Sequence, residues 1–116
     1  MSALPTFNAR RGGTWRGLLA SPFGSIFTAT CEGRVRKLPP GKDELPPETA
    51  VAATFDVSDF AGDDTRGPGW YLELSSASTD ALELGRYLAD AIVTLGGKPY
   101  TTLSWVIQFT EPATRP

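Results

Sequence analysis

Side chains that do chemistry are thinly supplied in this chain: it has one cysteine, Cys31, and no histidine. Histidine is the commonest metal ligand and the one side chain that titrates unperturbed near neutrality. Its absence excludes Ser-His and Cys-His nucleophile pairs and the His-containing zinc sites. Cys31 has no second thiol, which rules out an internal disulfide and multi-cysteine metal centres. It lies on the apolar row of its segment and reads as a small buried hydrophobe. Oxygen chemistry remains. Asp59, Asp63 and Asp64 are hard ligands of the kind calcium takes, but their spacing matches no calcium loop, and such a stretch is ordinarily a solvated turn. A Ser-Lys dyad needs Lys37, Lys42 or Lys98 beside a serine, and all three lie in loops or turns near prolines. Glu73 and Glu83 are the pair a glycosidase requires across a cleft, yet one sits on the solvent row of a strand and the other on a short helical turn. No catalytic residue, metal or cofactor is expected.

Binding side chains are better represented. Trp15, Trp70 and Trp105 all fall on rows expected to point inward; exposed, any of them would form a platform on which a sugar ring stacks. Arg10, Arg11 and Arg16 cluster around Trp15, a pairing that also suits single-stranded nucleic acid. The overall charge of -2 opposes that reading. Charge is unevenly distributed. Residues 1–37 carry six basic groups and one acidic, a net +5, whereas residues 38–116 carry five basic and twelve acidic, a net -7. Such polarity steers a partner, or another copy, into a defined approach.

The elements that must position these groups follow from size and periodicity. A chain of 116 residues with 41% hydrophobic residues is one domain, large enough for a core and too apolar for disorder. No run reaches the roughly 18 apolar residues of a membrane helix, and no basic start precedes an apolar stretch, so neither membrane insertion nor a signal peptide is expected. Alternation of period two dominates. Phe27, Ala29, Cys31 and Val35 share a face, as do Val51, Ala53, Phe55 and Val57, then Trp70, Leu72 and Leu74, then Leu103, Trp105, Ile107 and Phe109. Trp15 and Leu19 supply a shorter strand. Between Arg86 and Leu95 both faces are partly apolar. The Gly96-Gly97 pair that follows has the freedom of positive φ that a tight hairpin demands, which makes the last two strands an antiparallel pair.

Two stretches are not strands. Residues 37–49 hold Pro39, Pro40, Pro46 and Pro47 and read as a long, extended loop. Residues 78–84 read as one helical turn, with Ser78 or Thr79 as cap and Gly85 as stop. The expected fold is an all-β sandwich, immunoglobulin-like or jelly-roll-like, of six to eight antiparallel strands. Paired as the hairpin predicts, Leu88, Ile92 and Val106 form an apolar patch on an otherwise polar face. The proline loop forms an arm whose freedom is already restricted before a partner is met.

The motifs also resemble a family. Arg11-Gly12-Gly13-Thr14-Trp15 is similar to the Arg-Gly-Asp-Thr-Trp/Phe opening of small β-sandwich structural proteins of tailed phages and prophages, with Gly13 in place of the aspartate. Leu84-Gly85-Arg86-Tyr87-Leu88-Ala89-Asp90 resembles their Leu-x-x-Gly-Arg-Tyr-x-x-Asp strand. The ending Thr101 to Thr110, with Thr114-Arg115, looks like theirs as well; Pro22-Phe23-Gly24-Ser25 stands where they carry Asp-Leu-Thr-Gly. The N-terminal domain of phage baseplate upper proteins is similar. The resemblance implies a non-enzymatic virion protein, assembled in the host bacterial cytoplasm, in a tail, baseplate or fibre-adaptor position. Its partners would be other phage structural proteins and copies of itself, with neither nucleic acid nor membrane. The contact residues would be Leu88, Ile92, Val106, Arg10, Arg11, Arg16 and the prolines of the loop. A capsid decoration protein is the alternative placement, and a carbohydrate-binding module the alternative class.

Overall fold

A computed structural model describes residues 4–21, 26, 29–42, 44–46 and 48–111, with the side chains of 101 and 102 set aside. Eight strands and one short helix follow in the order β1 (Thr6–Arg10), β2 (Trp15–Ala20), β3 (Ala29–Lys37), β4 (Ala53–Thr54), β5 (Asp56–Phe60), β6 (Gly69–Leu74), α1 (Ser76–Asp80), β7 (Gly85–Leu95) and β8 (Lys98–Thr110). They form a five-stranded sheet, β1-β8-β7-β3-β4, facing a three-stranded sheet, β2-β6-β5. The chain is an all-β sandwich. Its strand order is that of an immunoglobulin-type domain in which the first strand has joined the larger sheet.

Inward rows from both sheets make the core. Val35, Ala89, Ala91, Val93, Ile107 and Phe109 of the larger sheet meet Trp70, Leu72 and Leu74 of the smaller, all at most 2% exposed. Cys31 shares this row, at 8% exposure. The period-two reading therefore placed β3, β6, β7 and β8 on the correct faces. Phe27 and the Pro22–Ser25 segment, like Thr114 and Arg115, lie outside the described residues. The final hairpin forms as expected: Gly96 and Gly97 hold φ of 60° and 82°, and Leu95 pairs with Lys98.

Three expectations are corrected. First, the strands are not all antiparallel. β1 lies parallel to β8, with Thr6 beside Val106 and Arg10 beside Thr110. Its sequence TFNAR carries little apolar periodicity, because an edge strand covers the core with only alternate small contacts such as Ala9. Second, the segment around Phe55 is two strands rather than one. Ala53–Thr54 pairs with β3, and Asp56–Phe60 pairs with β6, so the chain changes sheets at Phe55. The Phe55 N–H donates to the Gly33 carbonyl at 2.9 Å and its ring is buried at 4% exposure. Third, the helical turn lies at Ser76–Asp80, earlier than residues 78–84. Ser75 is the cap, its hydroxyl accepting the Ser78 N–H at 3.1 Å. Thr79, read as a possible cap, is fully buried; its hydroxyl donates to the Gly13 carbonyl at 2.7 Å and accepts the Gly12 N–H at 3.1 Å. This contact fixes the link between β1 and β2 to the helical turn that follows β6.

Tyr87 closes the same end of the molecule. It is 2% exposed, packs edge-on to Phe109 at 5.6 Å, and its hydroxyl donates to the Glu83 carbonyl at 2.9 Å. A buried tyrosine early in this strand, bonded back to the preceding corner, is the tyrosine corner of immunoglobulin-type sandwiches. Burial raises the Tyr87 pKa, so the phenol stays protonated as the donor. Tyr87→Phe keeps the packing and removes the hydrogen bond. Urea unfolding should show a loss of about 1 kcal/mol with an unchanged slope; stability equal to that of the parent would show that the corner contributes nothing.

Candidate functional site

β1 and β2 follow one another in the chain yet belong to different sheets, so the sandwich is left open along the side where both are edges. On the opposite side, β4 and β5 close the two sheets by the crossing at Phe55. The open side contains a cleft of about 460 Å³, walled by β2 and β8 and lipped by Pro5 and Phe7 of the β1 segment. Trp15 of β2 and Trp105 of β8 both line it and stack on each other, rings nearly parallel at 20° with centroids 6.1 Å apart. Phe55 reaches both from the interior, at 5.4 and 5.8 Å, and Phe7 meets Trp15 edge-on at 6.4 Å. Trp15 lies back along its own strand over Gly17, where an added Cβ would stand 2.6 Å from the ring. The glycine is what allows the indole to turn into the cleft.

The tryptophans thus divide. Trp70 is a core residue at 2% exposure, whereas Trp15 and Trp105 are half-buried walls of the cleft. The alternation was read correctly, but an inward row reaches the core only where a facing sheet covers it. The smaller sheet has three strands, so the row of β8 emerges from cover as it runs back from Phe109 to Leu103, which is 41% exposed. Phe7, from the strand that sequence periodicity missed, is 48% exposed, and Leu4 is 40%. The Trp105 indole N–H is buried without an acceptor among the described residues.

The arginines are placed separately. Arg16 stands on the outer row of β2, its guanidinium 3.8 Å over the Tyr71 ring. It has no carboxylate at ion-pair distance among the described residues, although Glu73 is its cross-strand neighbour. Arg11 pairs with Glu111 at 3.8 Å, and Arg10 donates to the Glu111 carbonyl at 3.4 Å. Only Arg16 lines the cleft.

The apolar patch expected from Leu88, Ile92 and Val106 does not form as a continuous exposed surface. Leu88 does pair with Val106, but Val106 is 2% exposed. β1 adds on the far side of β8, so Val106 is enclosed between Leu88 and Thr6 instead of standing at an edge. Ile92 lies further along, opposite Thr102, and Asp90 intervenes. Asp90 accepts a hydrogen bond from Ser104 at 2.8 Å and faces Arg36 at 3.7 Å, which makes the middle of this face polar.

The proline loop is not an extended arm. Leu38 anchors it at 3% exposure, with its N–H on the Arg86 carbonyl. Lys42 N–H closes a turn onto Pro39 O with Gly41 at φ 74°, and Thr49 N–H closes another onto Pro46 O with Glu48 at φ 65°. The repeated Leu-Pro-Pro at 38–40 and 45–47 is the sequence signal for two turns. Pro40 and Pro46 are exposed and Pro39 half-buried, while Pro47 lies outside the described residues. Glu48 is in the left-handed region, where a Cβ is costly. Glu48→Gly should therefore stabilise the fold by a few tenths to about 1 kcal/mol, glycine's greater unfolded entropy offsetting part of the relief. A lower urea midpoint would sink this account of the turn.

Two of the candidate oxygen ligands, Asp63 and Glu83, are held by neighbouring groups. Asp63 Oδ1 accepts from the N–H groups of Thr65 and Arg66 at 2.9 and 2.7 Å, and Oδ2 from the Arg66 side chain. These bonds hold its carboxyl well below the usual carboxylate range. Glu83 is engaged by Lys37 at 2.6 Å. No group of three or more His, Cys, Asp or Glu side chains that could hold a metal occurs among the described residues.

Burial, assisted by the Glu32 charge, pushes the Cys31 thiol up to about 11. Only a trace is thiolate at neutral pH. Ellman's reagent at pH 8 should modify the folded protein at least about a hundredfold more slowly than the unfolded chain; equal rates would show that the thiol is accessible and activated. Compared with family models, the chain matches none. Compared with curated proteins, it again finds no match.

Proposed function

We propose that this protein is a non-enzymatic structural subunit of a tailed-phage particle, in a tail, baseplate or fibre-adaptor position, and that it docks through the open side of its sandwich. The observation that carries the docking role is the concentration of apolar surface there. Phe7 and Leu103, each at least 40% exposed, stand around a cleft lined by two tryptophans, beside a strand whose outer edge pairs with nothing among the described residues. Apolar patches rimmed by polar groups mark protein contacts. The phage placement is supported by the motifs of the resemblance. Arg11 to Trp15 forms the link that carries the chain from one sheet to the other, and Gly85-Arg86-Tyr87 opens the strand of the tyrosine corner. A sandwich of this kind works by repetition: each copy contributes a modest contact, and the symmetry of the particle makes the sum durable.

Carbohydrate binding has one observation in its favour, the partial exposure of Trp15 and Trp105. Against it, the two rings stack on each other, and the polar side chains of the lining residues are engaged elsewhere, Arg16 over Tyr71 and Ser104 on Asp90. Tryptophan emission unmoved by added glycans separates the two readings.

Quantitative mass spectrometry of purified particles from a host producing the phage that encodes this chain tests the particle role. The chain should co-purify in a fixed whole-number ratio to tail subunits. A fixed ratio to the major capsid protein would move it to a decoration role, and absence from particles despite abundance in the lysate would overturn the proposal.

A further inference from the structure

We propose that the open side is a strand-addition site. An extended partner segment that alternates apolar and acidic residues pairs with the free edge of β2, sends its apolar side chains into the Trp15–Trp105 cleft and sets its carboxylates beside Arg16. The inference rests on the docking reading only for the choice of surface, and not on the particle.

The smaller sheet has three strands, where constant-type immunoglobulin sandwiches place a fourth beside the equivalent of β2. Here the backbone groups of β1 that could have filled that place are spent on β8. The outward-pointing N–H and C=O groups of β2 make no backbone hydrogen bond with another strand among the described residues. The two edges of this sheet are treated differently. On β5, Asp59 occupies the inward row beside Trp70, and an inward-row charge blocks pairing by a further strand. β2 has no such guard: its inward residues are Trp15, Gly17 and Leu19.

The chemistry of the occupant follows from what it would lie beside. A strand added to β2 alternates in step with it. Its inward side chains enter an apolar cleft of about 460 Å³ where Leu103 is still 41% exposed, and must be apolar. Its outward side chains flank Arg16, which has no ion-pair partner among the described residues, and should be acidic. Main-chain bonds supply the affinity and the alternating side chains the selectivity, as in other strand-addition complexes. A second copy adding through its own β2 would set Arg16 near Arg16 with no acid between them, which favours an acidic partner.

The test uses the full chain and acetyl-Glu-Val-Glu-Val-Glu-Val-Glu-Val-amide, with the lysine-valine octapeptide and an N-methylated glutamate-valine octapeptide as comparators. Tryptophan fluorescence reads binding, and amide hydrogen exchange locates it. The glutamate peptide should bind saturably, slow exchange in residues 15–20, and weaken as salt rises. Arg16→Glu should weaken it about fivefold and reverse the preference toward the lysine peptide, with Arg16→Gln intermediate. The proposal is overturned by no binding, by equal affinity for the two charge types, by undiminished binding of the N-methylated peptide, or by protection confined to other strands. If the peptide fails while particles contain the chain, docking uses another surface. If the peptide binds while particles lack the chain, the site stands and the particle role falls.

Discussion

A strand has one backbone edge to give to each side, and the decisive choice in this fold is where β1 gives its own. Its five residues lie parallel to β8 and extend the larger sheet. This choice encloses Val106, converts β8 from an edge into an interior strand, and leaves β2 bordered, among the described residues, by β6 alone. It also forces the chain to change sheets between Arg11 and Thr14, a link that the buried Thr79 hydroxyl holds by accepting from Gly12 and donating to Gly13. The open side, the half-exposed tryptophans and the unguarded edge all descend from that one allocation of hydrogen bonds.

The two sides of the sandwich show how differently the same problem can be met. Where β4 passes into β5, the crossing chain bridges both sheets, Phe55 fills the gap, and Asp59 stands on the inward row as a charge that discourages a further strand. Where β1 passes into β2, the gap is filled by aromatic rings instead. Trp15, Trp105, Phe55 and Phe7 form a chain of contacts between 5.4 and 6.4 Å, enough to keep the sheets in register without sealing them. Offset aromatic contacts of this kind stabilise beyond their buried area, by about 0.5–1.5 kcal/mol each, so the cleft costs the fold little.

Charged groups elsewhere are occupied with structure. Asp63 organises its own turn, Asp90 ties Ser104 and Arg36 across the outer face, and Glu83 meets Lys37 next to the tyrosine corner. Most of these pairs are exposed and contribute modestly to stability. The Asp90 contacts make the outer face of the larger sheet polar, which directs apolar contact to the open side. Arg16 differs, since its guanidinium stacks on Tyr71 and makes no ion pair among the described residues.

Local pattern was enough to determine the all-β class, the faces of β3, β6, β7 and β8, the glycine hairpin and the inert burial of Cys31, because alternation and positive φ are properties of neighbouring residues. The helical turn was legible in kind, but its start was placed two residues late and its end four, since several hydroxyls compete to cap it and only the contact with Gly13 decides that Thr79 is buried. The doublet of Leu-Pro-Pro was visible, but closing each into a turn depends on hydrogen bonds to Pro39 and Pro46 that composition does not specify. The candidate site was legible only in its parts. Trp15, Trp105 and Arg16 were singled out, while Phe7 and Leu103 were not seen as its lip. Which tryptophan is covered, whether Leu88 and Val106 are surface or interior, and which edge stays open are decided by how many strands each sheet receives. That number follows from pairing between residues about a hundred positions apart, and no local periodicity records it.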